Sequence, residues 1–467
     1  MPEPDPAADC FHEGALAGPG ASEADRCLRE RLERLDLQEL STNVNRDAAD
    51  REMSFRSAGG EQAFRIDPVP RILDASTWGE LSDGVAQRVR ALELFLRDVY
   101  GERRIVQAGV ISAETITGAE HYEPQLMGTG EQVRCWITVA GLDLVRDSDG
   151  SFKVLEDNLR TPSGIAYAVG TREILSGHLA PPEDLRVRPL DGAFQRLGAG
   201  LRAAAHPDAG DQPLVVLLSD GESNAAFYEH VTIAEHLGLP LVRLEQLSVR
   251  RGRLFASLEE GERAVDVLYR RTDEDRLSDD RGEPTPLAKL LLEPLQQGTL
   301  ACVNAFGTGV ADDKLLHAYV EDMIRFYLQQ EPLLRSVPTY DPAQPGVLEM
   351  VLERIGELVI KPRSGSGGYG VLIGPHARRQ DIEKTAAAVA AAPGDFVAQE
   401  MVMLSSHPTV TERGLEPRHV DLRPFAIARD ERIGVLPGGL TRVAFEAGAL
   451  VVNSSQNGGS KDTWVLA

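Results

Sequence analysis

Residues 358–374 read LVIKPRSGSGGYGVLIG, an apolar β-type run, four glycines within six positions, and a second apolar run. Gly365, Gly367 and Gly370 satisfy the pattern G-x-G-x-x-G. A dinucleotide-binding loop of that pattern opens directly into a helix. Here the loop opens into Val371-Leu372-Ile373, so the segment is expected to be a β-hairpin. Such a glycine-rich hairpin is pliable enough to fold over phosphates and offer them backbone amides. Lys361 ends the first strand and would bring a compact positive charge to the same place. Lys314 lies 47 residues upstream in an Asp-Asp-Lys run and is read as part of a helix near 314–328. On its own that lysine is an ordinary surface residue.

The strongest local signal lies upstream. VRCWITVAGLDLVRD and FKVLEDN are β-type runs separated by Ser-Asp-Gly at 148–150, a hairpin signature. Asp143, Glu156 and Asn158 follow the spacing D-x12-E-x-N across it. Side chains in a strand alternate with period two, so Glu156 and Asn158 share a face and Asp157 points away. Three oxygen donors would converge there, as magnesium requires alongside phosphate and water. A surface hairpin that merely carries acids is the plainer reading. Arg423 in DLRPFAIA and Arg442 in LTRVA each interrupt an apolar strand. Such an arginine is either an inward clamp for an anion or an edge charge that blocks strand pairing, and the clamp is preferred for Arg423.

The rest of the chain supplies the scaffold. Residues 1–50 are polar, with one short amphipathic helix expected around 28–40. Leu81, Val85, Val89, Leu92, Leu94 and Leu96 recur at helical spacing over 77–100. From about 211, LVVLLSDGESNAAFYEHVTIAEHLG reads as a buried strand, a turn and a helix, and PLVRLEQL and AVDVLYRR add strands of an open parallel α/β unit. Ser219 and Asn224 would lie at a strand's carboxyl end, where such sheets bind ligands, or would simply cap a turn. The expected division is an arm at 1–50, a hairpin-bearing segment at 51–190, the α/β unit at 191–300, and a lysine- and lid-bearing segment at 301–467.

Composition narrows the partners. With 72 acidic against 49 basic side chains the formal charge is −23, which disfavours nucleic acid and anionic membranes. Arg250, Arg251 and Arg253 are read as a turn between strands. No apolar stretch reaches membrane-spanning length, the start lacks signal-peptide character, and a cytoplasmic location is expected. The four cysteines have no metal-type spacing and read as reduced thiols. His230, His317 and His419 are expected to be structural or solvated.

Together, VLEDNLRTPSGIAYA, NAFGTGVADDK, IKPRSGSGGYGV, VAQE, HVDLRPFA, LPGGLTRVA and GGSKDTWV resemble the blocks of the ATP-grasp superfamily. The D…E-x-N triad precedes the lysines, the reverse of the usual order. The chain therefore resembles the circularly permuted ATP-grasp family, related in arrangement to glutathionylspermidine synthetase, over roughly residues 50–467. The resemblance implies an α/β fold: an ATP-grasp fold of α+β type, circularly permuted, with an additional open α/β, Rossmann-like unit. It implies that Lys314 and Lys361 hold ATP phosphates and that Ser364, Gly365, Ser366, Gly367, Gly368 and Gly370 form the lid. Gln399 and Glu400 would lie near adenine, with the backbone of Met401 and Val402 reading its edge. Asp143, Glu156 and Asn158 would carry Mg2+, Arg423, Lys361 and Arg442 would act in catalysis, and Arg160 and Ser163 would touch substrate. The activity implied is joining a small-molecule or peptide carboxylate to an amine through an acyl phosphate, with peptide or amino-acid amide formation among the outcomes. The alternatives are a kinase-type phosphotransferase and a nucleotide-binding scaffold without turnover.

Overall fold

The computed structural model describes residues 10–14, 18, 21–57, 60–130, 132–182, 184–274, 276–279, 281–364, 370–449, 452 and 458–467. A seven-stranded sheet organises the chain. Its spatial order is Arg335–Ser336, Phe152–Asn158, Val139–Arg146, Arg423–Arg429, Arg432–Ala444, Gly458–Val465 and Ile66–Leu73. The expected segments 51–190 and 301–467 thus share one sheet. Val139–Arg146 is buried at seven of its eight positions, because both faces of the sheet are covered. Alternation sorts the side chains: Phe425 and Ile427 enter one core while Ala426 enters the other.

The helix expected over 77–100 runs Ala75–Val99, and the Asp74 side chain caps it by accepting from the Thr77 amide. Trp78, Leu81, Val85, Val89, Leu92, Phe95 and Leu96 form its buried stripe. On the other face, helices Ile165–His178 and Ala193–Ala203 pack against the second core.

The expected α/β unit is a four-stranded parallel sheet in the order Ala301–Val303, Val267–Arg271, Val215–Ser219, Leu241–Val242. PLVRLEQL contributes only Leu241–Val242 to it. The chain then turns, and Leu247–Arg250 begins a separate antiparallel meander. Arg251 and Gly252 both have positive φ, 51° and 66°, the backbone of a tight hairpin turn.

A second antiparallel sheet joins Thr339–Tyr340, Phe396–Glu400, Leu358–Pro362 and Leu372–Ile373. With helices Val347–Arg354 and Arg379–Ala391 it encloses its own small core of Val351, Ile355, Leu358, Ile360, Leu372, Val389 and Ala398.

In the N-terminal arm, residues 23–50 form two packed helices, Glu23–Leu32 and Leu37–Asp50, in place of one helix around 28–40. Asp36 accepts from the amides of Gln38 and Glu39, so a new helix starts there. Leu28, Leu32, Leu40, Val44 and Ala48 enter the core beside Ile66 and Val69. Among the described residues no helix is long and apolar enough to cross a membrane, and Cys10, Cys27, Cys135 and Cys302 are unbridged.

Candidate functional site

Strands Val139–Arg146 and Phe152–Asn158 pair antiparallel, with Asp143 directly opposite Glu156 and Gly141 opposite Asn158. The three predicted donors therefore share one face, and all line a cavity of about 850 Å³. Asp157 takes the opposite face. There it is buried against Arg88, which reaches both its oxygens at 2.6 and 2.8 Å, and against His317 Nδ1 at 2.7 Å. This ion-paired cluster anchors the hairpin to the long helix.

Asp143 is held by two arginines. Arg423 donates Nε and Nη2 to its two oxygens at 2.6 and 2.9 Å, and Arg442 adds Nη2 at 2.8 Å. Arg442 also donates to Asp421, Nε–Oδ1 2.9 Å. Burial alone would raise the Asp143 carboxyl, but the Arg423 and Arg442 guanidiniums outweigh it and hold it at about 2. Burial pushes the neighbouring Asp421 carboxyl up, against the pull of Arg442. Arg442 thus lines the cavity as a tie between two carboxylates, and Arg423 keeps Nη1 on the Ser163 carbonyl at 3.2 Å.

Glu156 and Asn158 contrast with this. Among the described residues Glu156 makes no hydrogen bond or ion pair, and the Asn158 Nδ2 atom is buried without a partner. Half a turn of that amide would present its carbonyl oxygen, the atom a hard cation takes. A carboxylate has about four lone-pair positions, so Asp143 retains capacity beside its arginines. The residues present therefore fit a divalent cation.

Lys361 and Lys314 reach the same cavity. Lys361 Nζ donates to Gln399 Oε1 at 2.7 Å. Burial and then the nearby charge of Lys314 lower its pKa, while Glu156 and Asp143 oppose them. Lys314 lies in the turn just before the expected helix, which starts as a 3-10 turn at Leu316–Tyr319 and continues to Leu328, and its Nζ is 3.5 Å from the Arg363 carbonyl. Arg363 in turn donates to Asp313 at 2.9 Å, fixing the turn to the lid strand. Ser364 lines the cavity and Gly370 has φ +74°. Gly365, Ser366, Gly367 and Gly368 lie outside the described residues.

Strand Phe396–Glu400 and the residues after it bring Gln399, Glu400, Met401 and Val402 to the cavity, where Val145, Leu155, Val359, Ile373, Leu404 and Val452 make an apolar slot. The Glu400 carboxylate is taken by Arg354 at 2.9 Å to each oxygen and by Tyr340 at 2.7 Å. These bonds brace the end of that strand at the cavity edge. Gln399 instead bridges Lys361 to Thr339 Oγ1 at 2.9 Å.

Arg160 and Ser163 line the cavity as expected from their loop. Asp312 accepts from the amides of Leu159 and Arg160 at 3.2 and 3.0 Å, and burial raises its carboxyl pKa. Ser219 and Asn224 are not brought to the cavity. Ser219 is buried with its Oγ 2.8 Å from His230 Nδ1, so it closes the turn internally. Asn224 Nδ2 donates to Asp273 Oδ1 at 3.0 Å, and Asp273 is the residue that lines the cavity.

Sequence reasoning missed Asn304. Its buried amide accepts from the amides of Thr138 and Val139, both at 2.9 Å, and donates to the carbonyls of Val139 and Leu159 at 2.6 and 2.5 Å. It ties the end of the parallel sheet to both strands of the hairpin. Asn304 opens the block NAFGTGVADDK directly after an apolar strand, but nothing local singles it out within that block. Asp421, next to a predicted arginine strand, was equally legible and equally overlooked.

The family model described as circularly permuted ATP-grasp type 2 matches residues 70–444. An uncharacterized protein of Mycobacterium tuberculosis is 41% identical over 436 residues, covering 92% of this chain and 79% of that protein. A protein of Frankia casuarinae with a provisional glutamate–cysteine ligase name is 43% identical over 454 residues. The match covers 94% of this chain but 52% of the Frankia protein, so the chain spans about half of that relative. Among solved structures, a glutathione synthetase-like effector of Globodera pallida in its apo form has a TM-score of 0.61 at 12% identity. That match covers 93% of this chain and 98% of the effector, a likeness of fold.

Proposed function

Since the chain belongs to the circularly permuted ATP-grasp type 2 family, we propose that it is an ATP- and Mg2+-dependent ligase joining a carboxylate to an amine. The observation that carries this reading is the makeup of one cavity. Cationic Lys314, Lys361 and Arg423 stand around the unclaimed oxygen of Glu156 and the unpartnered amide of Asn158, beside an apolar slot.

In this reading the slot beside Met401 and Val402 takes adenine, and the hinge backbone reads its edge. Lys314 and Lys361 bind the phosphates, and the 364–370 loop closes over them and excludes water. Asp143, Glu156 and Asn158 hold magnesium, which would supply positive charge against the phosphate oxygens. Arg423 orients the transferring phosphoryl group, and Arg442 and Asp421 hold Asp143 in place. A carboxylate oxygen bonds to the γ-phosphorus as its bond to the bridging oxygen breaks, releasing ADP. The amine nitrogen then bonds to the acyl carbon, phosphate departs, and the amine gives up a proton. Offsetting the repulsion between two anions is what the three cations contribute.

The test has two parts. Thermal unfolding is measured with Mg-ATP, with ATP plus a chelator, and with Lys361→Ala and Glu156→Ala. ADP release is then followed with acids and amines, singly and together. A magnesium-dependent stabilisation lost in both variants, with ADP formed only when acid and amine are both present, is the expected result. ADP formed with a hydroxyl acceptor, or no response to ATP, would overturn the ligase reading.

A further inference from the structure

The ligase reading requires the cavity to admit the acid as well as the nucleotide, and the inference drawn here rests on that reading. Past Ser163 the cavity wall turns aromatic, with Phe55, Phe64 and Tyr167 all lining it. The rings of Phe64 and Tyr167 lie 4.6 Å apart at 37°, and Phe55 meets Tyr167 at 6.5 Å and 62°. Tyr167 and Phe64 are buried, and Phe55 is half-buried on the short hairpin formed by residues 54–57 and 60–63.

Two connections put this wall beside the reacting end. Helix Ile165–His178, which carries Tyr167, starts directly after the Ser163-Gly164 loop, and the Ser163 carbonyl holds Arg423. Leu440 stands opposite Arg423 in the sheet and lines the same cavity. Arg423 and the rings thus line one continuous cavity on either side of the Ser163–Gly164 loop.

The wall is also apolar in what it offers. The Tyr167 hydroxyl is spent on the Ser54 carbonyl at 2.8 Å. Behind it Arg271 Nη2 meets Glu229 Oε1 at 2.8 Å and Nη1 donates to the Pro162 carbonyl, its Nε being left buried without a partner, while Glu229 Oε2 takes the amides of Gly164 and Ala166. A charged substituent placed against the ring faces would lose water there. An apolar one would gain from burial and ring contact.

We propose that Phe55, Phe64 and Tyr167 form a side-chain subsite, and that the activated acid carries an apolar or aromatic substituent. The experiment uses the full chain with hydroxylamine as a generic amine. The acids are L-phenylalanine, 3-phenylpropionate, L-alanine, propionate, L-glutamate and L-lysine. ADP release gives kcat/KM for each, and calorimetric titration of the Mg-ADP-loaded protein gives binding. Ring-bearing acids are expected to bind and to exceed each of the others at least tenfold in kcat/KM. Phe55→Ala, checked for an unchanged circular dichroism spectrum, should cut that preference below threefold. Preferential binding with no ADP release from any acid would leave the subsite standing and overturn the ligase reading. ADP release that is indifferent to the side chain, or favours glutamate, lysine or alanine, would overturn the subsite and leave the ligase. Neither binding nor turnover with any acid would overturn both.

Discussion

Asp143 and Glu156 stand directly opposite each other across one hairpin, yet Asp143 carries two arginines and Glu156 carries none. The same pair of strands thus presents one carboxylate fixed by the protein and one left for something else. Their substitutions should therefore differ in kind.

Glu156→Gln should leave the unliganded protein within about 0.5 kcal/mol of the parent, because no described contact is lost. It should abolish the extra stabilisation that Mg-ATP gives over ATP with chelator. A ligand at a hundredfold its Kd contributes about 2.7 kcal/mol, so the loss is readable in a melting curve. An unchanged magnesium response in Glu156→Gln would remove this residue from the metal seat.

Asp143→Asn should instead damage the protein itself. It takes the counter-charge from Arg423 and one of two carboxylates from Arg442, and breaking a buried pair on one side costs about 3–5 kcal/mol. Urea unfolding should show that loss without nucleotide, and magnesium should not restore it.

Asn304→Ala removes four hydrogen bonds and leaves the backbone groups of Thr138, Val139 and Leu159 short of partners. A loss of roughly 2–4 kcal/mol in chemical denaturation is expected. Hydrogen exchange at the Thr138 and Val139 amides should rise more than at the lid strand.

Acid should unfold the protein through its depressed carboxylates. Burial would raise Glu13, but Arg71 and Arg146 hold it at about 2, and Asp143 lies at about 2. A carboxylate lowered on folding contributes stability above its unfolded range near pH 4, lost as pH falls towards 2. For Glu13 that contribution is roughly 3 kcal/mol. The melting temperature should therefore fall steeply between about pH 4 and 2. Arg71→Met should lose more stability at pH 7 than at pH 3, because protonation relieves a buried Glu13 left with only Arg146 and Ser405.

The hairpin was legible because period-two alternation sets Glu156 and Asn158 against Asp157 without reference to the rest of the fold. Lys361 was legible for a similar local reason, at a strand end before a glycine-rich turn. What reached across the chain was not. Arg423 and Arg442 find Asp143 from 280 and 299 residues away, and no local pattern states that distance. Arg88 reads as a polar position on an amphipathic helix and is buried only because Asp157 and His317 await it. Asn224 sits at the strand end where ligands bind, but its amide is turned to Asp273. The break at Asp36 was available in the residues themselves, as a capping side chain before Leu37.

The interleaving of the seven-stranded sheet has a consequence for synthesis. A nascent chain emerging from the ribosome finishes the acidic hairpin by residue 158, hundreds of residues before strands 423–429 and 432–444 arrive. Until then Asp143 lacks both arginines, although the segment carrying Lys314 can already dock on the hairpin through Asn304 and Asp312. Pairings this distant form slowly, since the loop must close before the contact rewards it. A polypeptide stalled before residue 423 would carry the acids and lysines but neither arginine of the cavity floor, so the cavity would be completed only by the late strands.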